Sequence, residues 1–162
     1  MKPQHYYSPN LFRSDYPFSH GTFVDLGTRT MVFLAGTISM GKDSFIDGDA
    51  FKQTEIAMQN IKTSLEEVGG TFRDIVKVII FVSDMADVPM INKAYAKCFE
   101  GYDGYLPARC CFAVKELPYK SKLEIDTIAV VDTKVVNEAR KKNGSSNKTT
   151  NRKSKTDFIA KF

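Results

Sequence analysis

One run, "DIVKVIIFVSD" (residues 74–84), constrains this chain more than any other. Its apolar residues occupy both alternating positions, so a strand here must be covered on both faces and sits inside a sheet, in a central position. Helical patterns flank it. Over residues 50–68, Phe51, Thr54, Met58, Ile61, Leu65 and Val68 recur at spacings of three and four and form one stripe. Asp49 caps the start of that helix and Gly69-Gly70 stops it. Asp87 opens a second helix, with Pro89 tolerated in its first turn and Ile91, Ala94, Tyr95 and Cys98 on the inner stripe. Two helices with one apolar side each, and a doubly apolar strand between them, demand a sheet that both helices pack on.

Four further strands complete it. "GTFVDLG" and "MVFLAGTIS" are joined by the turn-forming "GTRT", and "GKDSFIDGD" is a loop. Residues 108–114 and 122–131 supply the last two strands, with Ala108, Cys110, Phe112 and Val114 expected on a buried face. The order is β-β-α-β-α-β-β, an α+β fold with a mixed sheet and both helices on one face. No third helix is evident to cover the other face, which implies a partner subunit. A hairpin of the last two strands about Tyr119 would set Arg109 opposite residue 129. Glu124 would then lie about 17 Å from Arg109's partner position. Within such a hairpin the two cannot share a small ligand; they meet only across a subunit boundary or if the strands pair differently.

Composition narrows the class. The 162 residues, 43% of them hydrophobic, suffice for one domain with a real core. No apolar run is long enough to span a membrane and no cleavable leader is evident, so a cytoplasmic protein is expected. The 3 cysteines, Cys98, Cys110 and Cys111, do not form a disulfide framework, and His5 and His20 offer no metal cluster. Charge is uneven. Residues 134–162 carry 9 Lys/Arg and 2 Asp/Glu; residues 1–133 carry the other 14 basic and 17 acidic. The domain is therefore read as residues 1–133. Residues 134–162 are read as a basic, disordered tail that adds nothing to the fold. Such a tail is a solubilising extension or a weak nucleic-acid contact, and its terminal "DFIAKF" is a short docking peptide or folds back on the body.

Three polar residues stand in otherwise apolar settings. Arg109 follows Pro107 at the head of a strand, Glu124 sits among Leu123, Ile125 and Ile128, and Asn92 lies on the second helix. Each has an ordinary explanation: an edge arginine paired with a surface carboxylate, a glutamate sharing a solvent face with Asp126, an asparagine facing water.

The block "LPARCCFAVKELPYKSKLEIDTIAV" resembles the most specific region of the RidA (YjgF) family of reactive-intermediate deaminases, matching at Pro107, Arg109, Cys111, Glu124 and Ile125. "FLAGTIS" and the helix–strand–helix stretch "QTEIAMQNIKTSLEEVGGTFRDIVKVIIFVSDMADVPMINKAYAKCF" extend the resemblance over about residues 16 to 131. It implies a chorismate-mutase-like α+β fold and a homotrimer with clefts between subunits. It implies hydrolysis of enamines and imines such as 2-aminoacrylate and 2-aminocrotonate to 2-keto acids and ammonia. No metal and no organic cofactor is implied.

In that family's terms Arg109 clamps the substrate carboxylate through two parallel hydrogen bonds. Glu124 orients water and moves protons. Backbone around Cys111 completes the carboxylate site, since no partner histidine suggests a nucleophilic thiol. Asn92, Phe18 and Ala35 line the substrate position. The last two depart from the family: Phe18 in "YPFSHG" replaces a common tyrosine and Ala35 a common serine, making the cleft more apolar. Three activities stand open in that order: the small-substrate deaminase, a relative acting on another imine such as a 2-aminomuconate type, or a non-enzymatic ligand- or RNA-binding member.

Overall fold

The computed structural model describes residues 2–144. Six strands form a single sheet: β1 (Gln4–Tyr6), β2 (Gly21–Asp25), β3 (Arg29–Leu34), β4 (Ile75–Val82), β5 (Ala108–Ala113) and β6 (Leu123–Asp132). Their order is β1-β2-β3-β6-β4-β5. The helices are α1 (Ala50–Glu66), α2 (Val88–Lys97) and α3 (Thr133–Gly144). All pairs are antiparallel except β4 with β5, which run parallel because α2 carries the chain back between them. The mixed α+β architecture with α1 and α2 on one face is the one expected.

β6 shows how the sheet divides its faces. Leu123, Ile125, Thr127, Ala129 and Val131 are buried beneath the helices, and the alternate residues are half-buried on the other side. Val32, Val78 and Ile80 join Met58, Ile61, Leu65 and Ile91 in the same core. At the start of β4 this period breaks. A bulge between Ile75 and Lys77 leaves Val76 exposed and lets Ile75 and Val78, three apart, both face the helices. The Asp49 side chain accepts from the Lys52 amide, so the α1 cap forms as expected. Phe51 is not on the buried stripe; its ring lies under Lys97 Nζ at 4.6 Å, while Gln53 is buried instead. The Gln53 side chain accepts from the Lys122 amide and donates to the Gly48 carbonyl, which makes its burial tolerable.

Four further expectations are corrected. The last two strands do not form a hairpin: β5 pairs only with β4, and β6 lies between β3 and β4, where its long alternating run has two neighbours. β4 is interior but next to the edge rather than at the centre. The domain does not end at residue 133. Thr133–Gly144 is helical, Val136 is buried in the common core, and Asn143 donates to the Glu67 carbonyl, so this part of the basic segment packs on the domain. Residues 145–162, including "DFIAKF", lie outside the described residues. Finally, Ala108 and Phe112 are exposed in the single chain, because they belong to the face that carries no helix among the described residues. That open face also shows Phe33, Phe81 and Ile128, so the doubly apolar character of β4 finds no cover within the described chain.

Candidate functional site

Glu124 is placed by the strand register. It opposes Phe81 across β4, and Phe81 opposes Phe112 on β5, so all three share the open face. After β3 the chain continues alongside β6: the Thr37 amide donates to the Ile125 carbonyl at 2.9 Å and the Ile125 amide returns the bond at 2.9 Å. This lays Ala35 and Gly36 against Glu124. A Cβ on Gly36 would fall 1.8 Å from Glu124 Oε1, so only glycine lets the carboxyl rest there. Burial pushes the Glu124 carboxyl above its ordinary range, and the neighbouring Asp126 charge pushes the same way.

Glu124 lines a cavity of about 850 Å³ together with Phe18, Ala35, Gly36, Asn60 and Tyr119. Its walls are held from several directions. Asn60 on α1 donates to the Met40 carbonyl at 2.7 Å and fixes the loop after β3. His20 ties down the N-terminal segment. Its Nδ1 accepts from the Ser8 amide at 2.8 Å, so its Nε2 carries the proton and donates to the Phe12 carbonyl at 2.9 Å. The Ala35 amide in turn donates to the His20 carbonyl.

The second group of expected residues lies elsewhere. Arg109 opposes Val78, which opposes Thr127; this row faces the helices. Arg109 donates from Nη2 to Asn92 Oδ1 at 2.7 Å, and its Cζ lies 5.1 Å from the Tyr95 ring centroid. Among the described residues no carboxylate pairs with it, so the ordinary edge-arginine explanation fails. The Tyr95 phenol is driven up by burial, more than the Arg109 charge can offset. Cys111 shares the Arg109 face and packs on the core; Cys110 faces the other way and accepts from Lys77 Nζ at 3.1 Å.

The expected residues therefore fall into two half-sets. Asn92, Arg109 and Cys111 stand together at the β5 edge, and Phe18, Ala35 and Glu124 stand together in the cavity. Arg109 and Glu124 are three residues apart along the strands and two strands apart across them. That is about 10 Å in each direction, with the side chains on opposite faces. Sequence reasoning missed Gly36, Asn60, Tyr95 and Tyr119. Tyr95 was legible only as a buried stripe residue, and Tyr119 only as part of a turn. No group of His, Cys, Asp or Glu among the described residues is arranged to hold a metal ion. No helix among the described residues is long and apolar enough to cross a membrane.

Known proteins are similar to this chain in sequence and in fold. A sequence model of the family described as endoribonuclease L-PSP matches residues 12–131. Protein DfrA of Myxococcus xanthus is 37% identical over 116 residues, 70% of this chain and 85% of that protein. A 2-iminobutanoate/2-iminopropanoate deaminase of Salmonella typhimurium is 36% identical over 115 residues, 70% of this chain and 87% of that protein. The crystal structure of E. coli TdcF with bound serine superposes with a TM-score of 0.71 at 31% identity, covering 80% of this chain and 99% of that one. With the block from Pro107 to Ile125 and the six-stranded mixed sheet in place, the chain belongs to the endoribonuclease L-PSP family, the YjgF/RidA family of reactive-intermediate deaminases.

Proposed function

We propose that this protein hydrolyses carboxylate-bearing imines and their enamine tautomers to 2-keto acids and ammonia, in clefts formed between the subunits of a homotrimer. One observation carries the reading. A guanidinium without a carboxylate partner among the described residues and a carboxyl raised by burial are built on opposite faces of one sheet, each with its own supporting shell. Neither half-set is a hydrolytic site alone. Bringing the β5 edge of one subunit to the cavity of the next would join them. The uncovered apolar face of β4 and the exposed Phe112 support such an assembly.

In the joined site Arg109, held by Asn92 and Tyr95, clamps the substrate carboxylate in a planar fork. The backbone near Cys111 adds amide donors. Once the enamine has tautomerised to the imine, water adds to C2. Glu124 takes a proton from that water and delivers it to nitrogen, giving the carbinolamine, and then moves the hydroxyl proton to the amino group as well. The C2–N bond then breaks, ammonia leaves and the carbonyl forms, so that imine and water become keto acid and ammonia. A carboxyl raised by burial suits a group that must both accept and return a proton.

A second reading keeps the chemistry and changes the substrate. Phe18 and Ala35 both line the cavity and bring no polar atom from their side chains. They favour an imine with more apolar surface than a three- or four-carbon acid.

The test couples the purified full-length protein to a threonine dehydratase and follows 2-ketobutyrate formation against a no-protein control, with light scattering on the same sample. Faster keto-acid release and a mass near three chains support the proposal. A monomer with full activity would overturn the shared cleft, and no acceleration with any imine would overturn the deaminase.

A further inference from the structure

Tyr119 occupies an unusual position. It follows Pro118 in the connection between β5 and β6, with φ of 57°, and Lys120 after it has φ of 55°. Two successive non-glycine residues in the left-handed region are unfavourable, and such strain persists only where the surroundings enforce it. Here they do. The Lys120 amide donates to the Leu117 carbonyl at 3.1 Å and the Ser121 amide to the Pro118 carbonyl at 3.0 Å, closing the turn beneath the tyrosine. The ring is thrust out over the cavity that holds Glu124 and remains 51% exposed.

It does not stand alone. The Phe45 ring lies against it, centroids 5.7 Å apart and planes within 8° of parallel. Phe45 comes from the loop after β3, 74 positions earlier in the chain, and that loop is pinned by Asn60, by the Met40–Phe45 bridge and by the Gly41 amide on the Ser44 carbonyl. Two separately anchored segments thus present a flat, stacked aromatic wall. Phe12, Tyr16 and Phe18 add further aromatic residues to the lining beside Tyr119.

We infer that the Phe45–Tyr119 stack selects imino acids whose side chain is a flat, extended apolar group, aromatic or conjugated, over the small aliphatic ones. This rests on the proposed reading of Glu124 and Arg109 as the two ends of one site, and it assigns the side-chain end. Offset stacking on the free part of Tyr119 rewards a planar group specifically, whereas a methyl or ethyl group gains only its small area. Tyr119 is the specificity determinant that meets the substrate side chain, Phe45 is a positioning residue that holds the Tyr119 ring flat from outside the cavity lining, and neither takes part in proton transfer.

The test separates the pocket from the chemistry. Calorimetry on the full-length protein compares phenylpyruvate with 2-ketobutyrate, two keto acids that share the carboxylate and differ in the side chain. Phenylpyruvate is expected to bind at least tenfold more tightly. Tyr119→Gly keeps the backbone, since glycine accepts this φ without strain, and removes the ring; Phe45→Leu removes the stacking partner and keeps apolar bulk. Each should pull the ratio of the two affinities down to threefold or less. A parent ratio near one, or a ratio untouched by both substitutions, overturns the inference. In parallel, imines generated by an amino-acid oxidase from phenylalanine and from 2-aminobutyrate are assayed for hydrolysis. A tenfold preference for the phenylalanine-derived imine supports the inference at the level of turnover. A preserved binding ratio with no turnover of either imine leaves the aromatic pocket standing and overturns the deaminase reading alone.

Discussion

Gly36→Ala offers a test of Glu124 that leaves Glu124 in place. The new Cβ would lie 1.8 Å from Oε1, and ordinary contact begins at 3.4 Å, so the carboxyl oxygen must move by about 1.6 Å. The obstructing atom is the tip of a flexible side chain, so the fold can yield at little cost. Gly36 is not at a positive φ, so alanine adds no backbone strain. For proton transfer the same movement is severe. A misplacement of about 1 Å from a productive geometry can cost about 100-fold in rate, close to 3 kcal/mol of transition-state stabilisation. The expected result is a kcat for imine hydrolysis at least 100-fold lower, with the melting temperature changed by no more than about 2 °C. The double variant Gly36→Ala, Glu124→Gln should be no slower than Glu124→Gln alone, because both changes remove the same function. Turnover of Gly36→Ala within threefold of the parent, with the fold intact, would refute the placement of Glu124 at the reacting atoms. Additive losses in the double variant would show that Gly36 acts through something else.

Three other outcomes follow from the same geometry. Because burial raises the folded-state pKa of Glu124, its charged form costs stability as pH rises through that pKa, and no cost remains below the unfolded carboxylate range. Glu124→Gln should therefore raise the melting temperature at about pH 7.5, and the gain should vanish near pH 3.5, below the reference value of about 4.3 for glutamate; an equal gain at both pH values would refute the burial argument. Arg109→Ala should lower activity on carboxylate-bearing imines by several orders of magnitude and abolish 2-ketobutyrate binding by calorimetry. It loses a charge-assisted bond of about 1.5–3 kcal/mol and misplaces the reacting carbon as well. Arg109→Lys should recover only part of both, since it lacks the planar fork; binding by Arg109→Ala as tight as the parent's would make the arginine an ordinary structural charge. Truncation after Asp132 removes α3 and uncovers the core at Val136, whose burial contributes about 1.5–3 kcal/mol. At about 2–4 °C per kcal/mol for a domain of this size, the melting temperature should fall by roughly 3–12 °C in a thermal scan; an unchanged value would mean that α3 packs on nothing that matters.

Much of this protein is written locally in its sequence. The stripe from Thr54 to Leu65, the Asp49 cap and the apolar run of β4 each depend on residues within a turn or a strand of one another, and each forms where its local pattern places it, apart from the bulge at the start of β4. The Pro107-x-Arg109 block and Glu124 could be singled out because charge in an apolar strand is conspicuous wherever the strand lies. What only the tertiary structure decided is pairing. Whether β6 joins β5 in a hairpin or inserts between β3 and β4 depends on contacts far apart in sequence, and the alternation in β6 is equally compatible with either. That choice of neighbours set Arg109 and Glu124 two strands apart, with β4 between them. The bulge at Val76, the closeness of Gly36 to Glu124 and the meeting of Phe45 with Tyr119 are likewise products of long-range packing. α3 falls between the two cases. Its composition is that of a solvated tail, and a helix so polar gains its stability from docking Val136 on a core that other segments build, which no local pattern records.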